Sequence, residues 1–308
     1  MLSPKTHPGL TYLPADAAFL DPLRDDRDRP DAARAVVIPF GLEASVSYGG
    51  GTRNGPKAIL DASHQLELFD EELWREPYRD FGVATLPEPK IARGQEAALA
   101  QIEGLVESVV AAGKMPFVIG GEHALTAGAI RPLARRHKDL VVLHLDAHWD
   151  LRDGYQGEHF SHAAALRRVL DHDHVSLVSV GIRGCCAEEA RFYEANRKRI
   201  NVHLACDQGS WDLKTIIAPL KGRPVYISFD IDALDAHVMP ATGTPVPGGI
   251  SYLQALAVLR AGIEAAGSVV GMDLVEFAPI KGFHAYDFTA AQLAAKMLAY
   301  AMSGTKRR

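Results

Sequence analysis

Three short segments of the 308-residue chain concentrate side chains that can bind metal ions. They are Gly-Gly-Glu-His at 120–123, Asp-Ala-His-Trp-Asp at 146–150 and Asp-Ile-Asp-Ala-Leu-Asp at 230–235, and each follows an apolar run. A carboxylate buried at the end of an apolar strand is costly unless it is paired or bound to a metal. These segments contain no lysine or arginine, so we expect cations among them. Carboxylates and imidazoles without cysteine favour a divalent ion such as Mn²⁺ over a structural zinc site.

The spacing within these segments places the ligands on one side of each strand end. Asp146 and His148 are two residues apart, as are Asp230 and Asp232, so each pair points to one face of an extended chain. Asp150 would reach back from the start of the next loop. Two metal ions that share bridging carboxylates fit this number of ligands, and such a pair activates water to attack an electrophilic carbon. A single Asp-x-Asp is more often a turn, but three motifs at strand ends favour metal binding.

Eight short runs rich in apolar and β-branched residues alternate with segments of helical spacing. The runs are 35–40, 81–86, 116–121, 139–148, 175–184, 202–207, 224–232 and 268–277. Most are apolar at successive positions, which is typical of strands buried on both faces of a parallel sheet. The alternation predicts an α/β fold, a three-layer α-β-α sandwich with a mostly parallel central sheet of about eight strands. Because ligands bind at the carboxyl ends of such strands, the three motifs should meet at one edge.

Nothing in the sequence divides the chain, because it has no internal repeat, low-complexity run or Ser/Gly linker. We predict one catalytic domain over 1–308, with an irregular arm at 1–34 and a frayed tail at 304–308. A net charge of -5 makes nucleic acid or an anionic membrane an unsuitable partner, and no apolar run could span a bilayer. Three cysteines and no signal-peptide pattern predict a reducing, cytoplasmic compartment.

The motifs also resemble those of a known family. The segments at 120–123, 146–150 and 228–249 look like the three signatures of the ureohydrolases, the arginases and agmatinases. The similarity extends from about residue 35 to about residue 300, and 47–73 resembles the amino-terminal region of agmatinase-like members. The resemblance implies an arginase-like fold, a homo-oligomer (a trimer or a hexamer) and two Mn²⁺ per subunit.

The resemblance also implies which residues bind the metals. The ligands of one manganese would be His123, Asp146, Asp150 and Asp230. The ligands of the other would be Asp146, His148, Asp230 and Asp232. Asp146 and Asp230 would then bridge the two ions, and Asp150 would have a catalytic role in orienting the attacking water.

Other site residues follow from the same family pattern. Glu276 would grip the substrate guanidinium, whose planar fork of donors suits a carboxylate. His162 would also contact the substrate and carry a proton to the leaving amine, and Thr244 would line the pocket. The loop 151–159 should meet the far end of the substrate, where Asp153 could hold a distal ammonium.

Three residues depart from the commonest family pattern. Glu122 stands where many members have Asp, Ala163 where many have Gly, and Ala236 where Pro is usual. Ala163 could narrow the pocket mouth and mark a subgroup with a different substrate. None of the three departures removes an expected metal ligand.

These observations predict a hydrolase that cleaves a guanidino C–N bond and releases urea and an amine, with agmatine, giving putrescine, as the first choice of substrate. Aminopropylagmatine, guanidinobutyrate and formimidoylglutamate stay open as alternatives. A single-metal zinc deacylase of similar architecture is disfavoured by His123 and Asp232. A non-catalytic paralogue is disfavoured by the complete ligand set.

Overall fold

A parallel sheet of eight strands forms the centre of the computed structural model, which describes residues 9–306. The strands are β1 (Ala35–Phe40), β2 (Val83–Thr85), β3 (Met115–Gly120), β4 (Val141–Leu145), β5 (Ser176–Ile182), β6 (Ile200–Leu204), β7 (Pro224–Asp230) and β8 (Ser268–Val275). Their order is β2-β1-β3-β8-β7-β4-β5-β6, and every neighbouring pair is parallel. The predicted sheet is confirmed, and each of the eight apolar runs contributes one strand.

Helices occupy the segments between the strands. They are α1 (Gly55–Ser63), α2 (Tyr78–Phe81), α3 (Gln95–Ala111), α4 (Leu125–Ala129), α5 (Arg131–Arg136), α6 (Ala165–Val169), α7 (Ala187–Ala195), α8 (Leu213–Ile217), α9 (Tyr252–Ala265) and α10 (His284–Ser303). Local sequence explains how several begin. Pro56 lies in the first turn of α1, where its missing N–H costs nothing. Ser251 and Gln254 form a capping box that starts α9.

Helices cover both faces of the sheet. Successive residues of a strand point to opposite faces, so they pack against different helices. Val37 of β1 and Leu143 of β4 belong to the core formed with α1, α9 and α10. Val36 packs with α3 and α4, and Val142 packs with α5 and α6. The three-layer α-β-α arrangement predicted from the unbroken apolar runs is therefore confirmed.

The strand order brings the motif-bearing strands together. β3, β8, β7 and β4 are consecutive in the sheet, and a motif or Glu276 follows the carboxyl end of each. The arm at 9–34 contains two 3-10 turns, Ala15–Ala17 and Pro30–Ala32, while 1–8 and 307–308 of the predicted arm and tail lie outside the described residues. Across 9–306 no helix has the length and apolar character needed to cross a membrane.

Candidate metal centre

One imidazole nitrogen lies at the centre of the carboxylate cluster. Nδ1 of His123 is 3.1 Å from Asp146 Oδ2, 3.1 Å from Asp150 Oδ2 and 3.3 Å from Asp230 Oδ2. All four side chains are buried. The four residues predicted to share one metal ion, which come from the ends of β3, β4 and β7, therefore converge on a single point.

A hydrogen bond to the other ring nitrogen, Nε2, fixes the orientation of the His123 ring. Ser228 Oγ donates to Asp273 Oδ1 at 2.8 Å, so it accepts from His123 Nε2–H at 2.9 Å. The lone pair of Nδ1 then faces three carboxylates, and this buried nitrogen has no hydrogen-bond partner among residues 9–306. Such an arrangement is repulsive unless a proton or a metal cation lies between the groups, and the set of one imidazole nitrogen and three carboxylates fits a metal ion.

A second group of ligands adjoins the first and shares Asp146. His148 Nδ1 lies 3.0 Å from Asp232 Oδ2 and 3.6 Å from Asp146 Oδ1. Two sets of potential ligands can be defined, and within each set the ligand atoms all lie within 4.8 Å of one another. The first set is His123, His144 and Asp146, and the second is Asp146, His148 and Asp232. Because Asp146 belongs to both sets, the described residues can hold two ions with a carboxylate between them.

The electrostatics of the cluster also call for cations. Burial, reinforced by the charges of Asp232 and Asp146, raises the pKa of Asp230 well above its usual range. Burial also raises the pKa of Glu276 to about 8. For His123, burial lowers the pKa, but the facing carboxylates outweigh it and raise the pKa overall. Divalent ions relieve repulsion of this kind.

Two buried residues that support the cluster were missed by the sequence reasoning. His144 in β4 lies with Nε2 2.7 Å from Asp146 Oδ2 and Nδ1 3.0 Å from Ser179 Oγ. Asp273 in β8 accepts from three hydroxyl groups, those of Thr126, Tyr226 and Ser228. The available signal was a polar residue flanked by apolar ones within a run, His144 in 139–148 and Asp273 in 268–277, since a fully buried polar group needs partners.

Two of the predicted catalytic residues have strained backbone conformations. Asp150 and Glu276 have φ values of 52° and 62°, and they are two of five non-glycine residues with positive φ in 9–306. Glu276 is held there because its N–H donates to Gly121 O at 2.8 Å and its Oε1 accepts from His123 N at 2.7 Å. Strain of this kind is typical of functional sites, where surrounding contacts fix a required side-chain direction.

A cavity of about 190 Å³ opens beside the cluster. The predicted site residues that line it are His148, Asp150, His162, Asp230, Asp232, Thr244 and Glu276. His162 begins a 3-10 turn whose N-cap is Ser161, which places the imidazole in the cavity wall. The structure thus brings the expected catalytic groups together with both ligand sets. Ala163 also lines the cavity, as expected from its place beside His162.

Asp153 is the predicted substrate-binding residue that the structure does not bring to the cavity. Its carboxylate is paired with Arg168 on α6 at 2.8 Å, and its side chain is 64% exposed. From the same loop, Arg152 and Tyr155 line the cavity instead, with the guanidinium 4.7 Å from the ring centroid. Glu189, at the start of α7, adds a carboxylate to the wall that the sequence reasoning did not identify.

Comparisons with known proteins agree with this site. A model of the arginase family matches residues 33–303. The chain is 36% identical over 279 residues to an N(1)-aminopropylagmatine ureohydrolase of Synechocystis sp., covering 87% of this chain and 89% of that one. It is 35% identical over 261 residues to an agmatinase of Bacillus anthracis, covering 82% and 87%. The agmatine ureohydrolase structure of Thermoplasma volcanium has a TM-score of 0.78 at 27% identity, covering 95% of this chain and 96% of that one.

The chain therefore belongs to the arginase family. It is a ureohydrolase, an enzyme that cleaves a guanidino group, and its fold is arginase-like.

Proposed function

We propose that the protein binds two Mn²⁺ per subunit and hydrolyses agmatine to putrescine and urea. The observation that carries this proposal is the charge of the cavity wall. It contains five carboxylates, those of Asp150, Glu189, Asp230, Asp232 and Glu276, and one arginine, Arg152. Two divalent ions would balance the carboxylates of the cluster and leave Glu189 and Glu276 for a substrate with cationic ends.

The proposed ligands are the six residues of the two sets implied by the family pattern. They are His123, Asp146, His148, Asp150, Asp230 and Asp232. A manganese pair bound there supplies activation of water near neutral pH. Glu276 has one oxygen fixed by His123 N–H, so its other oxygen is available to accept from a guanidinium N–H. Asp150 orients the water, and Thr244 limits the substrate position.

The proton balance of the reaction requires a group that transfers protons to the leaving nitrogen, and His162 is placed to do so. Hydrolysis of a guanidinium by one water yields urea and a protonated amine, so both protons of the water finish on the leaving nitrogen. His162 lies in the cavity wall and has an imidazole suited to such transfer. Asp153, which is paired with Arg168, has no part in this proposal.

N1-Aminopropylagmatine is the second candidate substrate. Relatives that carry the name of an aminopropylagmatine ureohydrolase match this chain at 36% to 39% identity. The longer substrate has an additional amine, and Glu189 offers a carboxylate outside the metal cluster. Both Glu189 oxygens accept from backbone N–H groups, of Leu151 and Cys186, so this carboxylate is held in place. The trimer or hexamer implied by the family resemblance stays a prediction.

The test is urea release by the Mn²⁺-loaded enzyme. Agmatine, N1-aminopropylagmatine, guanidinobutyrate and arginine should be compared by kcat/KM, and we expect the two amine-terminated compounds to be preferred. Absence of urea from every compound, with manganese bound, would refute the proposal. Asp230→Asn should lose manganese and activity together while the fold survives, whereas Asp235→Asn should keep both, because Asp235 bonds the Gly248 and Gly249 backbone instead of lining the cavity.

A further inference from the structure

A chain of hydrogen bonds lies behind His162. Ser45 Oγ donates to Glu122 Oε1 at 2.8 Å and lies 3.2 Å from His162 Nδ1. The His162 backbone N–H donates to the same hydroxyl at 2.9 Å. Glu122 is fully buried and Ser45 does not line the cavity. The other ring nitrogen, Nε2, lies 3.4 Å from Ser47 Oγ, and Ser47 does line the cavity. Nδ1 therefore faces the protein and Nε2 faces the cavity side.

The partners of Glu122 fix the direction of these bonds. Its Oε2 accepts from the backbone N–H groups of Ala44 and Ser45, both at 2.7 Å, and its Oε1 accepts from the Gln95 side-chain amide. These three N–H groups can only donate. A carboxylate surrounded in this way is an acceptor, so the Ser45 hydroxyl donates its hydrogen bond to Glu122. The Ser45 oxygen is then free only to accept.

This direction determines the tautomer of His162. Because Ser45 Oγ accepts, Nδ1 must carry the proton that it donates, and a neutral ring then has its lone pair on Nε2. We propose that Glu122 and Ser45 are positioning residues that hold neutral His162 as the Nδ1–H tautomer, which leaves Nε2 as the atom that exchanges protons with the leaving nitrogen. The proposal rests on the proposed function for the last step, but the tautomer itself is a property of the protein.

The transfer balances with this assignment. Nε2 takes one of the two water protons during attack and gives it to the leaving nitrogen as the C–N bond breaks, while the proton on Nδ1 stays in place. The second water proton reaches the same nitrogen through the carboxylate of Asp150, which orients the water. In the opposite tautomer Nε2 already carries a proton, so the ring has no lone pair on the cavity side that could accept a proton from the attacking water. Ser45 and Glu122 thus act through His162, and neither touches the reacting atoms.

The first experiment measures the tautomer directly. ¹⁵N-histidine NMR of the full-length protein with diamagnetic Mg²⁺, at a pH where the ring is neutral, separates protonated from unprotonated ring nitrogens. The signals of His162 are those lost in His162→Asn. We expect Nδ1 to be protonated and Nε2 to be unprotonated. A dominant Nε2–H form in the wild-type protein would overturn the proposal.

Glu122→Gln should invert the tautomer. Its amide oxygen can keep the two backbone N–H bonds, which turns its NH₂ toward Ser45. Ser45 Oγ then accepts from that NH₂ and donates to Nδ1, so the His162 proton moves to Nε2. Gln95 can turn its amide so that its buried Oε1, which has no partner among the described residues, accepts from the new NH₂. Its Nε2 then gives up the hydrogen bond to Phe160 O. An unchanged tautomer in folded Glu122→Gln would contradict the relay, whereas Glu122→Asp should retain Nδ1–H.

Ser45→Ala and Ser161→Ala form a matched pair. Ser161 Oγ is the competing hydroxyl, 3.4 Å from Nδ1. We expect Ser45→Ala to give a mixture of tautomers and Ser161→Ala to leave Nδ1–H dominant, while Ser45→Thr restores the wild-type spectrum. A mixture in Ser161→Ala with an unchanged spectrum in Ser45→Ala would assign the role to Ser161 and refute the proposal.

Kinetics of the Mn²⁺ enzyme test the catalytic consequence. Ser45→Ala and Glu122→Gln should lower kcat by about tenfold or more with little change in KM, because a positioned proton carrier contributes roughly 10²–10⁴-fold. Unchanged kcat would refute the link between tautomer and turnover. If the wild-type enzyme releases no urea from any guanidino compound, the proposed function fails, and the NMR result still decides the tautomer.

Discussion

Asp273→Asn should weaken manganese binding although Asp273 is not a ligand. The carboxylate holds the Ser228 hydroxyl, and that hydroxyl accepts from His123 Nε2–H. In the variant the amide oxygen should stay with Tyr226 and Thr126, whose buried hydroxyl protons would otherwise lose their acceptor. The NH₂ group then donates to Ser228, which turns its own proton toward His123 Nε2. The ring proton moves to Nδ1, the nitrogen that should bind metal.

The size of this effect follows from how much metal affinity depends on the hydrogen-bond partner of a metal-binding side chain, here His123. Replacing such a partner costs about 10- to 100-fold in metal affinity, which is roughly 1.4–2.7 kcal/mol. The fold should survive, because burial raises the pKa of Asp273 and the neutral amide avoids that cost of desolvation. Asp273→Asn should therefore bind Mn²⁺ more weakly and gain less thermal stability from added Mn²⁺ than the wild type.

Isothermal titration calorimetry with Mn²⁺ measures the affinity, and thermal unfolding with and without Mn²⁺ measures the linked stability. Tyr226→Phe is the matched control, because it removes one hydroxyl from the other oxygen of Asp273 and leaves the Ser228 bond intact. It should lower the free energy of unfolding and keep the Mn²⁺ affinity. An affinity of Asp273→Asn equal to that of the wild type would refute the reasoning about the His123 tautomer.

Loading with Mn²⁺ should release protons, because burial raises the pKa of Glu276 to about 8 in the metal-free protein and nearby cations would lower that pKa. Calorimetric heats that are equal in buffers of different ionisation enthalpy would exclude this release. The free energy of unfolding of the metal-free protein should also decrease as pH rises from about 4.5 to about 8. Over this range folded Glu276 keeps a proton that the unfolded chain has released. Glu276→Gln should flatten that dependence in urea titrations, and an unchanged slope would contradict the assignment. Glu189→Gln should raise KM for amine-terminated substrates by about tenfold, roughly 1.4 kcal/mol, with Mn²⁺ affinity unchanged; an equal KM would remove Glu189 from substrate binding. Gly121→Ala should unfold the protein or lower its melting temperature strongly, because a Cβ there would lie 2.0 Å from a backbone oxygen. Gly104→Ala in α3 meets no atom within 4 Å and should stabilise by about 0.5–1 kcal/mol.

The fold class was predictable because strands buried on both faces leave a strong local signal. β1 coincides with its apolar run, and β7 begins at the first residue of its run, Pro224. The order of the strands was not predictable, because right-handed crossovers allow many orders for eight parallel strands. That order makes β3, β8, β7 and β4 neighbours and so lets the motifs form one site.

The sequence by itself determined the carboxylates and histidines of the three motifs as the residues that gather at the site, because such side chains at the ends of apolar runs have few other stable roles. Only the tertiary structure decided which partners those residues have. His144 and Asp273 are buried polar residues inside strands, and most of their partners come from other strands and α4. The exception is Asp146, which lies two residues after His144. Asp153 was expected at the substrate, but Arg168 on α6 holds it away from the cavity. A hydrogen bond depends on the distance and direction between two atoms, and for residues far apart in sequence only the fold fixes these.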